Sequence, residues 1–182
     1  DGTAAGTVVV KDVNVGPKTS QPWYITECNG KVLFSLHEAK TGAELWATNG
    51  LAANTLLVKD INTTSTMNSE AGNFYKGIIA TKKGVLFNAY EPGTGGELHA
   101  SDGNSNSNEL LNDIAPGEPW SFPNSFISKN GAYFFIADNP TGTAIYKTDG
   151  NKSGLKKLTT DIDRSVYSVA NFDIADNGKV FY

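Results

Sequence analysis

Residues 44–50, Glu44-Leu45-Trp46-Ala47-Thr48-Asn49-Gly50, decide how the rest of the chain is read, because their pattern returns twice. Residues 30–50 align without a gap on residues 83–103 and 130–150. A ring recurs at Phe34, Phe87 and Phe134, and an acid at Glu38, Glu91 and Asp138. Thr41-Gly42, Thr94-Gly95 and Thr141-Gly142 follow, then an aliphatic–ring step at Leu45-Trp46, Leu98-His99 and Ile145-Tyr146. The blocks close on Asn49-Gly50, Asp102-Gly103 and Asp149-Gly150. With Asp1-Gly2, such turn pairs begin at positions 1, 49, 102 and 149. Beyond each, an Asp precedes a branched apolar residue, at Asp12-Val13, Asp60-Ile61, Asp113-Ile114 and Asp161-Ile162. Self-similarity at this period marks an array of supersecondary units, each covering its neighbour.

Within one period the hydrophobic pattern predicts four short strands, in the first full unit Trp23–Cys28, Lys31–His37, Ala43–Thr48 and Asn54–Ile61. Asn29-Gly30 and Asn49-Gly50 join them as hairpin turns, since Asn and Gly tolerate the positive φ that a two-residue hairpin demands. Equivalent turns fall at Lys83-Gly84, Asn130-Gly131 and Asn177-Gly178. No segment carries a helical period. Four antiparallel strands per repeat of about 40–50 residues predict an all-β fold of β-propeller blades. The expected layout is one partial propeller domain over 1–182: a last strand within 1–13 (Gly6–Val13), blades over 22–61, 73–114 and 122–162, and the start of a further blade over 168–182 (strands Ser168–Asp176 and Lys179–Tyr182). That is about 3.75 blades and fifteen strands.

Composition agrees. With 19 Gly and 7 Pro among 182 residues, turns are frequent, and β-branched and aromatic residues fill the segments between them. Fifteen Lys and Arg against 19 Asp and Glu give a net charge of −4, which argues against a nucleic-acid partner. Apolar runs are too short for a membrane-spanning helix. One cysteine, Cys28, excludes an internal disulfide and a Cys-rich metal site. The chain opens on Asp1-Gly2-Thr3 and stops on Val180-Phe181-Tyr182, mid-pattern, as expected of a fragment or a processed chain.

Glu44-Leu45-Trp46-Ala47-Thr48-Asn49-Gly50 followed by Leu57-Val58-Lys59-Asp60-Ile61 resembles the unit of ELWxxDGT-repeat proteins. Asp1-Gly2-Thr3 with Val9-Val10-Lys11-Asp12-Val13 resembles its second half. The resemblance weakens towards the end, where Ala144-Ile145-Tyr146 stands for Glu-Leu-Trp. It implies a secreted or surface-exposed, mostly bacterial β-propeller, often part of a longer chain. Such a motif names a scaffold and leaves the function open.

Leu45 and Trp46 point to opposite faces of one strand, and both are expected in the core because a blade is covered on each side. The Asp after Lys11 and Lys59 is expected to end a strand by accepting nearby backbone N–H groups. All tight Gly turns fall on one face. The other receives the inter-blade crossovers near 14–22, 62–73, 115–121 and 163–167 and the mid-blade loops near 37–43, 90–95 and 137–142. Variable loops on a rigid scaffold are the usual place for binding. Candidate ligand-binding residues on that face are Trp23, His37, Glu38, Tyr90, Glu91, Trp120, Asp138 and Asn139, with Lys40 and Phe74 beside them. Carboxylates accept hydroxyl hydrogen bonds and rings pack on sugar C–H faces; the same oxygens suit Ca²⁺. The competing reading is that Glu38, Glu91 and Asp138 cap the loop before Thr-Gly while the rings fill seams. Residues 102–109 alternate oxygen side chains without the acid density of an EF-hand-like loop. His37 and His99 fall at different points of the repeat, so neither a zinc pair nor a catalytic triad is built.

The sequence therefore predicts a non-catalytic extracellular or cell-surface binding or adhesion module, with a glycan or a surface protein as ligand. A structural segment of a larger assembly is the alternative, and a polysaccharide hydrolase or lyase the third reading. No cofactor is required. A ring would close through further blades in a longer chain, through self-association, or through the leading strand joining the trailing pair.

Overall fold

A computed structural model describes residues 2–63, 77–162 and 172–182. Phe74, most of the 62–73 crossover, the 163–167 crossover and the start of the predicted strand Ser168–Asp176 lie outside the described residues. The described chain is all-β. Its strands are β1 (Trp23–Cys28), β2 (Lys31–Glu38), β3 (Gly42–Thr48), β4 (Leu56–Leu57), β5 (Ile78–Ala80), β6 (Val85–Glu91), β7 (Gly95–Ser101), β8 (Glu109–Asn112), β9 (Asn124–Lys129), β10 (Ala132–Asn139), β11 (Gly142–Thr148), β12 (Lys156–Lys157), β13 (Asp173–Ile174) and β14 (Val180–Phe181). They form three four-stranded antiparallel sheets, β1–β4, β5–β8 and β9–β12, each in chain order, and the two-stranded sheet β13–β14.

Turn chemistry sets the hairpins. Asn29 and Gly30 have φ of 54° and 73°, and Asn130 and Gly131 have 52° and 75°, the left-handed pair that two-residue hairpins need. Asn49-Gly50 acts differently from the expected tight hairpin. Trp46 pairs with Leu57, so the β3–β4 connection is long and contains a 3₁₀ turn at Ala52–Asn54. The predicted strand over Asn54–Ile61 accordingly shrinks to Leu56–Leu57, extended by one bond from Val58 N to the Leu45 carbonyl at 2.9 Å. The turn before Gly84 is also wider, because Ala80 pairs with Val85.

The sheets pack face to face in chain order. One face of the first sheet (Leu33, Leu45, Val58) meets Val85, Phe87 and Ala89 of the second. The opposite face of the second (Leu86, Leu98, Leu111) meets Phe126, Phe135, Ala137 and Tyr146 of the third. Phe134, Ile136 and Ile145 then meet Phe172 and Ile174. The Leu-ring step behaves as alternation demands: Leu45, Leu98 and Ile145 are fully buried on one face, and Trp46, His99 and Tyr146 are buried on the other.

Lysines tie neighbours together at the turn ends. Lys31 Nζ donates to Asn104 Oδ1 at 2.6 Å, Lys83 Nζ to Asn151 Oδ1 at 2.8 Å, and Lys129 pairs with Asp176 at 2.9 Å. Each reaches from one sheet to the next.

Two expectations are corrected. Residues 6–13 form no strand, so the described strands number fourteen. A fourth strand exists only against a third, and no described sheet offers them one. Val8 and Val9 are 73% and 83% exposed. Lys11 instead donates to the Thr55 carbonyl at 2.6 Å and lies over the Trp46 ring, while Val13 packs on Phe34, Leu36 and Trp46.

The second correction concerns register. Phe34 pairs with Trp46 and Phe87 with His99, but Tyr146 pairs with Phe135, not Phe134. The cause is a loop one residue shorter. Glu38 pairs with Gly42 and Glu91 with Gly95 across three residues, whereas Asn139 pairs with Gly142 across Pro140-Thr141 alone. A one-residue slip moves a side chain to the other face. Phe134 thus faces β13–β14. Asn139, not Asp138, is the counterpart of Glu38 and Glu91.

Candidate binding site

Most of the predicted site residues are occupied by local structure. Glu38 accepts from Thr41 Oγ1 at 3.0 Å. Asp138 is buried and accepts from Thr143 Oγ1 at 2.7 Å. Asn139 donates to Asp161 at 2.8 Å and to the Tyr146 hydroxyl at 3.2 Å. Glu91 lies 3.9 Å from Lys59. His37 is exposed on the first sheet and Trp23, 51% exposed, contacts Tyr24, so neither joins the others. The Asp after Lys11 and Lys59 departs from its expectation: no described strand ends at Asp12, and Asp60 Oδ1 is buried without a hydrogen-bond partner among the described residues. Asp113 accepts from Gly117 N at 3.3 Å. Asp161 instead gathers side chains, and the Lys157 ammonium, followed by Thr141 and Asn139, holds its carboxyl down to about 2.

Tyr90 and Trp120 are brought together. Tyr90, the penultimate residue of β6, stands opposite Gly96. The 113–123 crossover returns over this pair: Ser121 N donates to the Gly96 carbonyl at 2.9 Å and Asp138 N to the Ser121 carbonyl at 2.7 Å. Trp120 stacks on Tyr90 with centroids 5.4 Å apart and 25° between planes, and on Phe122 at 5.2 Å and 28°. All three rings are half-buried. Glu118 borders them, accepting from Tyr90 Oη at 3.2 Å and Gly93 N at 3.0 Å. Burial, then the Glu118 carboxylate, raises the Tyr90 phenol above its ordinary range, so it remains a donor at neutral pH.

Glycine makes the platform possible. A Cβ at Gly96 would lie 2.1 Å from the Trp120 ring. The equivalent positions carry Ala43 and Thr143, paired as Gly96 is beside the mid-sheet loop. The crossover counterpart in the first sheet, Ser20, accepts from His37 N as Ser121 accepts from Asp138 N, but Thr19 precedes it where Trp120 precedes Ser121. Of the two crossovers that lie wholly within the described residues, 13–22 and 113–123, the second alone carries the stacked rings, while the bolts around them recur in both.

A buried acid beneath the crossover was not singled out from sequence. Glu97 is fully buried and accepts from Ile114 N at 2.9 Å, Ala115 N at 3.1 Å and Ser121 Oγ at 2.5 Å. Glu44 repeats the device with Asn62 N at 3.3 Å. Burial pushes the Glu97 carboxyl up to about 7 against the pull of those donors. The recurrence of Glu before Leu-ring, with Asp-Ile 16 residues later, was the available signal. In the same strand, burial pushes His99 down to about 4; its Nδ1 lies 3.2 Å from Asn108 Oδ1.

Among the described residues, no group of three or more His, Cys, Asp or Glu is placed to hold a metal ion. No described helix is long and apolar enough to cross a membrane. Two cavities of about 240 and 250 Å³ lie on the turn face, the first against Lys31, Asn49 and Asn104, the second against Lys83, Asp102 and Asn151. They sit beside the recurring lysine contacts, opposite the stacked rings. No protein-family model matches the chain, and no curated protein matches it.

Proposed function

We propose that the successive sheets are blades of a β-propeller of the ELWxxDGT-repeat type, and that the chain is a non-catalytic, extracellular carbohydrate-binding module. The single observation carrying the binding reading is the Tyr90–Trp120–Phe122 stack over Gly96. Scaffolding must recur in every unit of a repeat; a binding site need not. Face-to-face stacking of four-stranded sheets supports the blade reading, since each sheet covers its neighbour's apolar side. The partly exposed ring stack offers apolar surface to sugar C–H groups, and Glu118 supplies an acceptor for hydroxyls beside it.

A glycan array, run with Ca²⁺ and with chelator, tests this reading. The wild-type chain is expected to bind, and Trp120→Ala to lose about tenfold or more in affinity, matching ~1.4 kcal/mol for one stacking ring. Its thermal transition should remain cooperative. An array silent in both conditions, or Trp120→Ala binding as wild type, overturns it.

A further inference from the structure

Asn88 is fully buried, and among the described residues neither its Oδ1 nor its Nδ2 has a hydrogen-bond partner. Uncompensated amides of this kind are rare in folded proteins, because burial without a partner is costly. The surroundings give no internal reason for it. Asn88 lies within the apolar junction between the second and third sheets, opposite Leu98. The equivalent residues on neighbouring sheets are the shorter Ser35, opposite Leu45, and the apolar Ile136, opposite Ile145.

Its position is informative. The β6–β7 ladder runs without a bulge from Val85–Ser101 to Glu91–Gly95, so Asn88 and Tyr90 share a face. Tyr90 stands opposite Gly96, whose missing Cβ is the slot the Trp120 ring fills. Asn88 is therefore one residue pair deeper on the face that Trp120 covers. An indole turned out of this slot would leave a recess with Gly96 at its mouth, Leu98 on its wall and an unpaired amide at its floor.

We propose that Asn88 is the floor of the carbohydrate site, that the Trp120 ring leaves the Gly96 slot to stack on the bound sugar ring, and that the group admitted into the vacated slot is the N-acetyl substituent of an amino sugar. This rests on the carbohydrate reading above and narrows its ligand. An acetamido group carries one N–H donor, one carbonyl acceptor and a methyl group. The first two match the free Oδ1 and Nδ2 of Asn88, and the third suits Leu98. A vicinal hydroxyl pair meets both amide atoms as well but brings no methyl group to Leu98, so the apolar wall is what separates the two sugars. The rim disfavours anionic sugars: Glu118 borders the rings and Glu91 closes the ladder, while Lys59 is engaged with Glu91.

Chitohexaose and cellohexaose share a β-1,4 backbone and differ in the N-acetyl group, which makes them the probes. The wild-type chain should bind chitohexaose at least tenfold more tightly. Asn88→Ile, carrying the residue of the third sheet, should abolish the preference while keeping the weaker, platform-only affinity; Asn88→Ser should do the same if the isoleucine variant fails to fold. The Asn88 side-chain amide resonances should shift on adding chitohexaose. Equal affinity for both oligosaccharides, or a preference that survives in both variants, overturns the inference while leaving the carbohydrate reading intact. A wild-type chain that binds no glycan on the array overturns both.

Discussion

Gly95→Ala is expected to destabilise the fold by about 3–5 kcal/mol, against about 1 kcal/mol for Gly93→Ala two residues earlier. Both glycines have left-handed backbones, with φ of 71° and 93°. An L residue at either position therefore carries the conformational penalty. Their surroundings differ. A Cβ at Gly93 meets nothing within 4 Å, whereas one at Gly95 would lie 2.2 Å from the Pro119 carbonyl oxygen and 2.5 Å from that of Glu118. Those atoms are backbone and cannot rotate aside. The crossover must lift, taking Glu118 from Gly93 N and Trp120 from Gly96. Urea titration of both variants measures the difference. Gly95→Ala should also weaken glycan binding, because the rings ride on the displaced segment. Equal losses in the two variants would show that conformational strain alone matters there and that the crossover is soft.

The second large effect is a pair of opposed pH dependences in β7. Glu97 has an ordinary value of 4.5 and about 7 in the fold; His99 has 6.5 and about 4. Between about 4.5 and 7 the unfolded chain releases the Glu97 proton while the folded chain keeps it. Its contribution is full below about 4.5 and lost as pH rises through about 7. For His99 the unfolded ring binds a proton below about 6.5 and the folded ring does not. Its contribution is full above about 6.5 and lost as pH falls towards about 4. Each amounts to about 3 kcal/mol, and over their shared interval they cancel. The two groups should therefore leave the wild-type stability flat from about pH 4.5 to 6.5. Glu97→Gln removes one arm, so stability should rise with pH; His99→Phe removes the other, so stability should fall. Urea midpoints across this interval read the slopes. Slopes of the same sign in both variants would refute the opposition.

How much of this was legible in the sequence depends on the length scale of the signal. Local chemistry transferred well. The expected and observed bounds of Trp23–Cys28 coincide, its end being set by the left-handed pair Asn29-Gly30. The burial of Leu45 with Trp46 followed from alternation in a strand covered on both sides. The candidate site transferred poorly. Eight residues were gathered from loops assigned to one face, and Tyr90 and Trp120 were the pair brought into contact. Phe122, Glu118 and Gly96 were missed, since each matters only once the crossover lies on β7. The ungapped alignment misassigned Phe134 and Asp138 because its matched residues hide a one-residue deletion at Pro140-Thr141. The turn spacing carried the signal, since Asn29-Gly30 to Asn49-Gly50 is 20 residues and Asn130-Gly131 to Asp149-Gly150 is 19, but Phe134-Phe135 and Asp138-Asn139, neighbours of similar type, let an ungapped alignment absorb the difference.

By itself the sequence determined the repeat, the all-β class, the antiparallel order of strands within each unit and the turn face, since period, alternation and Asn-Gly chemistry are properties of neighbouring residues. Tertiary structure alone decided which rings meet, which acids are buried, and that Asn88 has no side-chain partner among the described residues. Those depend on how one sheet lies against the next, and a single glycine or a single deleted residue there changes what each side chain touches.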